Sequence, residues 1–355
     1  MDRIEKVKKI IKENNVDAIL LNSPNNTFYV TGFKSSNSYL LVTKDSGTFY
    51  FTDMRYFSSA ENFLHDTDII LSVLDLVAMD SLMNKLGINT VGVESDYITL
   101  EKKKTLSTIF KAKLKPVDTT RLRAIKSPSE IASIRESLQI AEKTLFDLQN
   151  SVEIGMTEKE ISKLAVSFGL KNGADKASFD FIVASGLNGG SPHWHPSDYK
   201  IREGELITID LGFIVNGYCS DITRTFKTSD KIDKDLENMY NIVLKANNAV
   251  NEQARVGMTG KEIDKIARDI IEKSKYRSYF GHGLGHSLGI EVHESPRLSS
   301  ADNSVIEEGM IMSNEPGIYV PSLGGVRIED IILFKEGKPE VLTTFPKDLQ
   351  SIVNS

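Results

Sequence analysis
The chain has 355 residues, 40% of them hydrophobic and 26% charged, with a formal net charge of -6. This is the composition of a globular protein with more than one core, and it excludes a disordered or membrane-spanning chain. A mildly acidic balance without a Lys/Arg block also excludes nucleic acid or an anionic membrane as the main partner.

From the N-terminus, Met1–Asn14 reads as an amphipathic helix with Ile4, Val7, Ile10 and Ile11 on one stripe, not as a signal peptide. No stretch reaches the roughly 20 apolar residues of a membrane span. The one cysteine, Cys219, has no internal partner, so nothing points to an oxidising compartment and cytoplasm is the expected location. Ala18–Leu21 reads as a buried strand. Ser38–Val42 and Thr48–Thr52 read as a strand pair around Asp45, Ser46 and Gly47. A helix over Met54–Phe63 and a strand over Ile69–Val73 follow, and this α/β pattern continues to about Thr119. Ser127-Pro128-Ser129-Glu130 is a helix start, with Ser127 as N-cap, Pro128 at the first helical position and Glu130 at the third. The domain junction is placed beside it, giving domains 1–122 and 123–355.

The second domain carries an internal duplication. Gly155-Met156-Thr157-Glu158-Lys159-Glu160-Ile161 matches Gly257-Met258-Thr259-Gly260-Lys261-Glu262-Ile263, each with a Thr N-cap and a Glu three residues on. Glu203-Gly204 through Asp210-Leu211-Gly212 then parallels Glu308-Gly309 through Glu315-Pro316-Gly317. Two matches in the same order predict a pseudo-symmetric domain with an acidic residue at the equivalent point of each half.

The first acidic strand, Glu205–Val215, ends in Asn216-Gly217 and resumes at Tyr218–Phe226, a strong hairpin signal. A two-residue turn pairs Val215 with Tyr218 and, counting back, Gly212 with Asp221. Side chains alternate, so Asp210 and Asp221 share a face as diagonal neighbours, with Gly212 leaving space between them. Two carboxylates at ~4 Å repel by ~4 kcal/mol at an effective dielectric near 20, which a proton, an arginine or a metal must offset. Ile311–Asn314 leads into Glu315, and Gly324–Ile331 embeds Glu329 in a further strand. If Gly324-Gly325 were a two-residue turn, Glu315 and Glu329 would face opposite ways. A longer loop or a bulge is needed for both to enter one site.

Five of the six histidines, His193, His195, His282, His286 and His293, lie in the second domain. Gly281–Gly289 is too rich in glycine for a helix interior and points to backbone packed closely against something. It is not the His-Glu-x-x-His zinc helix. An imidazole with four carboxylates is an oxygen-rich set that suits hard divalent ions such as manganese, and two ions ~3.5–4 Å apart share carboxylates and activate a water.

These residues resemble those of the pita-bread peptidases, a family of methionine aminopeptidase, aminopeptidase P and prolidase. The resemblance runs through Ser178–Gly186, Pro192-His193, Asp210–Thr225, Gly281–Pro296, Asn314–Tyr319 and Gly324–Asp330. It implies an α+β chain with a creatinase-like α/β N-terminal domain and a pseudo-symmetric pita-bread catalytic domain. It also implies Asp210, Asp221, His286, Glu315 and Glu329 as ligands of two divalent metal ions, manganese foremost, with cobalt, zinc or iron as alternatives. His193 resembles the histidine near the substrate, His293 the one at the scissile carbonyl, and Arg327 the arginine of the proline-specific branch, while His282 takes a supporting position. The mechanism that the resemblance implies further has Glu315 carry a proton toward the leaving proline nitrogen.

Thr52-Asp53-Met54-Arg55-Tyr56 resembles the Thr-Asp-x-Arg-Tyr stretch in the N-domain of aminopeptidase P, prolidase and creatinase. Creatinase lacks the metal set that this chain carries. Trp194 and His195 are bulkier than the small residues expected after Pro192-His193. The expected activity is hydrolysis of Xaa-Pro bonds at peptide N-termini, with a prolidase restricted to dipeptides as the alternative and a non-catalytic binding protein of the same fold as the remote one. The expected partners are small peptides with proline second and a second copy in a homodimer, with neither nucleic acid nor membrane.

Overall fold
A computed structural model describes residues 3–353. The chain divides into two compact units, one running to Arg123 and one starting at Ala124.

The first unit contains α1 (Arg3–Asn14), β1 (Ala18–Leu21), α2 (Pro24–Thr31), β2 (Ser38–Thr43), β3 (Thr48–Thr52), α3 (Met54–Leu64), β4 (Ile69–Val73), α4 (Leu76–Lys85), β5 (Thr90–Glu94), α5 (Leu100–Ile109) and β6 (Lys113–Val117). The strands form one mixed sheet in the order β4-β3-β2-β1-β5-β6. β1 is the aliphatic run expected of a strand covered on both faces, and all four of its residues are buried. Helix α2 is not among the elements read from the sequence. Its signals are local: Ser23 accepts from the Asn26 amide, Pro24 opens the helix and Gly32 ends it at φ 75°. In the Thr52–Tyr56 stretch, Asp53 caps α3 and accepts from the Arg55 guanidinium at 2.7 Å. The sixth histidine, His65, ends α3 beside Asp66.

The second unit begins with α6 (Pro128–Gln149), α7 (Glu158–Lys171), β7 (Lys176–Ala177), β8 (Ile182–Ser185) and a short 3-10 turn, Gly186–Gly190. It continues with β9 (Leu206–Leu211), β10 (Phe213–Val215), β11 (Tyr218–Cys219), β12 (Ile222–Lys227), α8 (Lys234–Gln253) and α9 (Gly260–Glu272). Then follow β13 (Gly285–Ser287), β14 (Glu294–Leu298), β15 (Ile311–Asn314), β16 (Gly317–Val320), β17 (Gly324–Arg327), β18 (Asp330–Leu333) and β19 (Glu340–Val341). Ser127 and Glu130 form the expected capping box at the start of α6.

The duplication is present in three dimensions. Thr157–Glu160 and Thr259–Glu262 both form capping boxes, at the starts of α7 and α9. The Gly155 amide donates to the Ile201 carbonyl (3.0 Å) and the Gly257 amide to the Ile306 carbonyl (2.9 Å). Lys159 to Ser197 and Lys261 to Asp302 repeat the pattern. Each half packs a helix pair on its own strands. Leu145, Leu148, Ile161 and Ala165 meet Ile207, Ile209 and Phe226 in the first half. Val243, Val250, Ile263 and Ala267 meet Met312, Ile328 and Ile332 in the second. β9 and β15 are therefore counterparts, which sets Asp210 and Glu315 at equivalent ends.

Candidate metal centre
The first hairpin has the register counted from Asn216-Gly217. Val215 pairs with Tyr218 and Ile214 with Cys219, and beyond a short break Leu211 pairs with Ile222 and Asp210 with Thr223. Asp210 and Asp221 thus share a face as diagonal neighbours. Gly212 has a different reason from the one expected: a Cβ there would collide with the Ser220 carbonyl oxygen, so glycine allows the strands to close rather than leaving space between the aspartates.

The second hairpin corrects the turn considered at Gly324-Gly325. Those residues lie in β17, where Gly324 pairs with Val320, so the loop is Pro321-Ser322-Leu323. Gly317 pairs with Arg327 and Asn314 with Asp330, the same register on both sides of a gap. Glu315 and Glu329 therefore stand opposite each other with no bulge, because the loop has an odd number of residues.

β13 brings His286 to these carboxylates. Its Nε2 lies 3.2 Å from Glu315 Oε1 and 3.8 Å from Asp221 Oδ2. Its Nδ1 donates to the Ser287 carbonyl at 3.1 Å, so that loss of the Nε2 proton would present the Nε2 lone pair to a ligand. The expectation of close packing holds at Gly283, Gly285 and Gly289, whose Cβ atoms would press on Ser299, on the Ser313 carbonyl and on Glu294, whereas Gly281 has open space.

Asp210, Asp221, His286 and Glu329 are 8%, 6%, 7% and 1% exposed. Asp221, His286 and Glu329 each offer a ligand atom within 4.8 Å of the others. Asp210 Oδ1, Asp221 Oδ1 and Glu329 Oε1 are buried without a hydrogen-bond partner. Orphaned carboxylate oxygens are costly in a protein interior unless a cation meets them. With an imidazole Nε2 among them, they form a donor set that fits divalent metal ions.

The electrostatics agree. Burial, followed by the charges of Glu329, Asp210 and Glu315, pushes the Asp221 carboxyl well above its ordinary value. Burial and the charges of Glu315 and Asp210 do the same to Glu329. Burial opposes ionisation of Glu315 too, but the hydrogen bond and charge of His286 outweigh it and hold this carboxyl at about 2. His286 is correspondingly raised, its pairing with Glu315 overcoming burial.

Arg327 is engaged rather than free. It donates to Asp210 Oδ2 (2.6 Å), to the Tyr319 hydroxyl (2.9 Å), to Thr223 Oγ1 (3.1 Å) and to the Pro192 carbonyl (3.3 Å). The Tyr319 hydroxyl passes the chain on to His282 Nε2 at 2.9 Å, while His282 Nδ1 donates to the Gly283 carbonyl. Burial pushes the Tyr319 phenol up to about 12, so it stays protonated. Thr223 Oγ1 also donates to Glu329 Oε2 (2.9 Å), and Arg224 holds Asp330 (3.0 Å) and the Glu329 carbonyl behind it. Sequence reasoning missed Tyr319 and Thr223. The pairing of Thr223 with Asp210 was derivable from the hairpin count.

A cleft of 430 Å³ opens over this floor, a size suited to a small ligand. Asp210, Asp221, His286, Glu315 and Arg327 line it below, with Phe179, Ile182, Trp194 and Val292 partly buried around it. His193, His195, His293 and Arg297 stand exposed at its rim. The His293 ring packs 4.3 Å from that of His286, and burial and the His286 charge lower its pKa. Glu329 does not line the cleft and reaches the cluster from behind.

The family model for metallopeptidase family M24 matches residues 132–336, the span that carries all of these side chains. The chain belongs to metallopeptidase family M24. Its first unit matches the creatinase/prolidase N-terminal domain over residues 3–125, which adds to the M24 unit the domain that the Thr52–Tyr56 stretch pointed to. Among M24-type relatives, an Xaa-Pro dipeptidase of Pyrococcus horikoshii is 39% identical, over 97% of this chain and 98% of its own. A solved Xaa-Pro dipeptidase from Bacillus anthracis is 35% identical at a TM-score of 0.94, covering 100% of this chain and 99% of that one. A solved X-Pro aminopeptidase from Thermotoga maritima is 33% identical at a TM-score of 0.90, covering 100% of both. As a metallopeptidase of this family the chain is a metal-dependent hydrolase with the creatinase-like and pita-bread architecture expected, and no helix among the described residues is long and apolar enough to cross a membrane.

Proposed function
We propose that this metallopeptidase removes the N-terminal residue from short peptides whose second residue is proline. The observation that carries the reading is the buried cluster of Asp221, His286 and Glu329, each with a ligand atom within 4.8 Å of the others and both carboxylates with a partnerless oxygen, in a chain that matches Xaa-Pro peptidases along its whole length. Asp210, Asp221, His286, Glu315 and Glu329 hold two divalent ions, manganese foremost. The oxygen-rich set favours a hard cation over a thiolate-type zinc site. When bound, such ions polarise a carbonyl and lower the pKa of water to the neutral range.

The chain's own residues do the rest. Arg327 fixes Asp210 through one oxygen and leaves Oδ1 directed elsewhere. Glu315, ionised beside His286 and 18% exposed to the cleft, accepts a proton and passes it to the leaving proline nitrogen. His293, held neutral at the rim, donates a hydrogen bond to the scissile carbonyl. His193 contacts the peptide, and His282 steadies Tyr319 and through it Arg327. Residues 1–122 serve as the N-terminal domain and 123–355 as the catalytic one, in a cytoplasmic homodimer.

The second reading is a prolidase restricted to Xaa-Pro dipeptides, favoured by the relatives of that name at 39% and 35% identity. Hydrolysis of Ala-Pro and Ala-Pro-Ala, each with manganese and with chelator, separates the two. Alanine release from the tripeptide, abolished by chelator, is the expected result. Cleavage of the dipeptide alone establishes the prolidase, and no metal-dependent cleavage of either returns the binding-protein reading.

A further inference from the structure
We infer that Trp194 limits the size of the side chain this cleft accepts ahead of the proline, and that Glu158 is the positioning residue that makes the limit rigid. This rests on the Xaa-Pro reading above and deepens it.

Trp194 is half-buried and lines the cleft beside the exposed His193 and His195. Its indole Nε1 donates to Glu158 Oε2 at 2.9 Å. The polar edge of the ring is thus committed to Glu158, and what it offers the cleft is hydrocarbon. Glu158 is fully buried and accepts five hydrogen bonds. Oε1 takes the Ser185 amide (2.8 Å) and Asn188 Nδ2 (3.0 Å), and Oε2 takes Trp194, the Ser197 amide (3.0 Å) and Ser197 Oγ (2.7 Å). A buried carboxylate stabilised only by such donors resists losing any of them. The same short rim segment is tied to the floor at its other end, where the Pro192 carbonyl accepts from Arg327.

An unanchored indole relieves a steric clash by changing rotamer. Trp194 cannot swing aside without leaving Glu158 short of a donor, so it acts as a fixed wall.

The internal duplication shows that Glu158 is not a requirement of the helix start. The capping residues of α7 are Thr157 and Glu160, repeated in α9 by Thr259 and Glu262. At the position of Glu158 the second half has Gly260, where a Cβ would collide with the Arg297 carbonyl oxygen. The space given to a buried carboxylate in the first half is filled by backbone in the second. The anchor belongs to the Trp194 side of the cleft alone.

The test is kcat/KM for Gly-Pro-Ala, Ala-Pro-Ala, Leu-Pro-Ala and Phe-Pro-Ala, measured with the full-length manganese-loaded protein and its Trp194→Ala, Trp194→Phe and Glu158→Gln variants, each checked by thermal melting. Trp194→Ala raises the Phe-Pro-Ala to Ala-Pro-Ala ratio by about tenfold, chiefly through a lower KM for the larger substrate. Trp194→Phe and Glu158→Gln, which keep a ring but loosen it, raise the ratio less and in the same direction. If Trp194→Ala does not fold, Trp194→Phe decides. A role in folding alone slows all four substrates alike, and an unchanged or lower ratio in the folded variants overturns the inference. A wild type that cleaves only dipeptides is assayed on Gly-Pro, Ala-Pro, Leu-Pro and Phe-Pro instead, and one inactive on tripeptides and dipeptides alike overturns the Xaa-Pro reading and this inference with it, whereas an active wild type with an unmoved ratio overturns this inference only.

Discussion
Glu329 reaches the cluster from its buried side. It is 1% exposed, accepts from Thr223 through Oε2 and leaves Oε1 without a partner beside Asp221 and His286. Glu329→Gln keeps the shape and removes the charge. It should lower bound manganese below two ions per chain, read by elemental analysis, and reduce kcat/KM at least about a hundredfold. Tyr319→Phe removes only the hydroxyl that joins Arg327 to His282. It should leave the metal content intact and lower kcat by about tenfold; unchanged kinetics would show that the relay has no part in turnover. Asp210 and Asp221 were legible in the sequence because Asn216-Gly217 fixes a register that can be counted. Tyr319 and Glu158 were not, because their partners, Arg327 and His282 for one and Trp194 and Ser197 for the other, meet them only through tertiary packing.

At the scale of elements, strand parity decides what reaches the site. The three-residue loop Pro321–Leu323 keeps Glu315 opposite Glu329, and Pro-Ser next to Leu-Gly-Gly left the sequence without a unique turn. Helix α2 went unread because it is only eight residues long, from its opening proline to the residue before its closing glycine. Close approach of backbones is the other determinant. A Cβ at position 285 would collide with the Ser313 carbonyl, so β13 and β15 pack only with glycine there. Gly285→Ala should destabilise the second unit by about 2–3 kcal/mol and weaken manganese binding by displacing His286, measured by melting with and without the ion. A variant that melts and binds as the wild type would remove close packing as the reason for the glycine-rich run.

For the whole molecule, the buried carboxylates tie stability to pH and metal. The folded-state pKa values of Asp221 and Glu329 lie well above their ordinary 3.8 and 4.5. Above those ordinary values the metal-free folded state therefore holds more protons than the unfolded chain, and its stability falls as pH rises toward the raised values. Bound metal requires the deprotonated ligands, so the stabilisation it confers grows over the same range. Melting curves of the stripped protein from about pH 5 to pH 8 should show a falling midpoint, and manganese should restore most at the upper end. A rising midpoint without metal would contradict the assignment of these two carboxyls.

The most direct test of the centre is a calorimetric titration of manganese into chelator-stripped wild-type protein at neutral pH. Two ions bound per chain is the predicted result. No saturable binding, or binding that Glu329→Gln leaves unchanged, would contradict the five-residue metal centre on which the account rests.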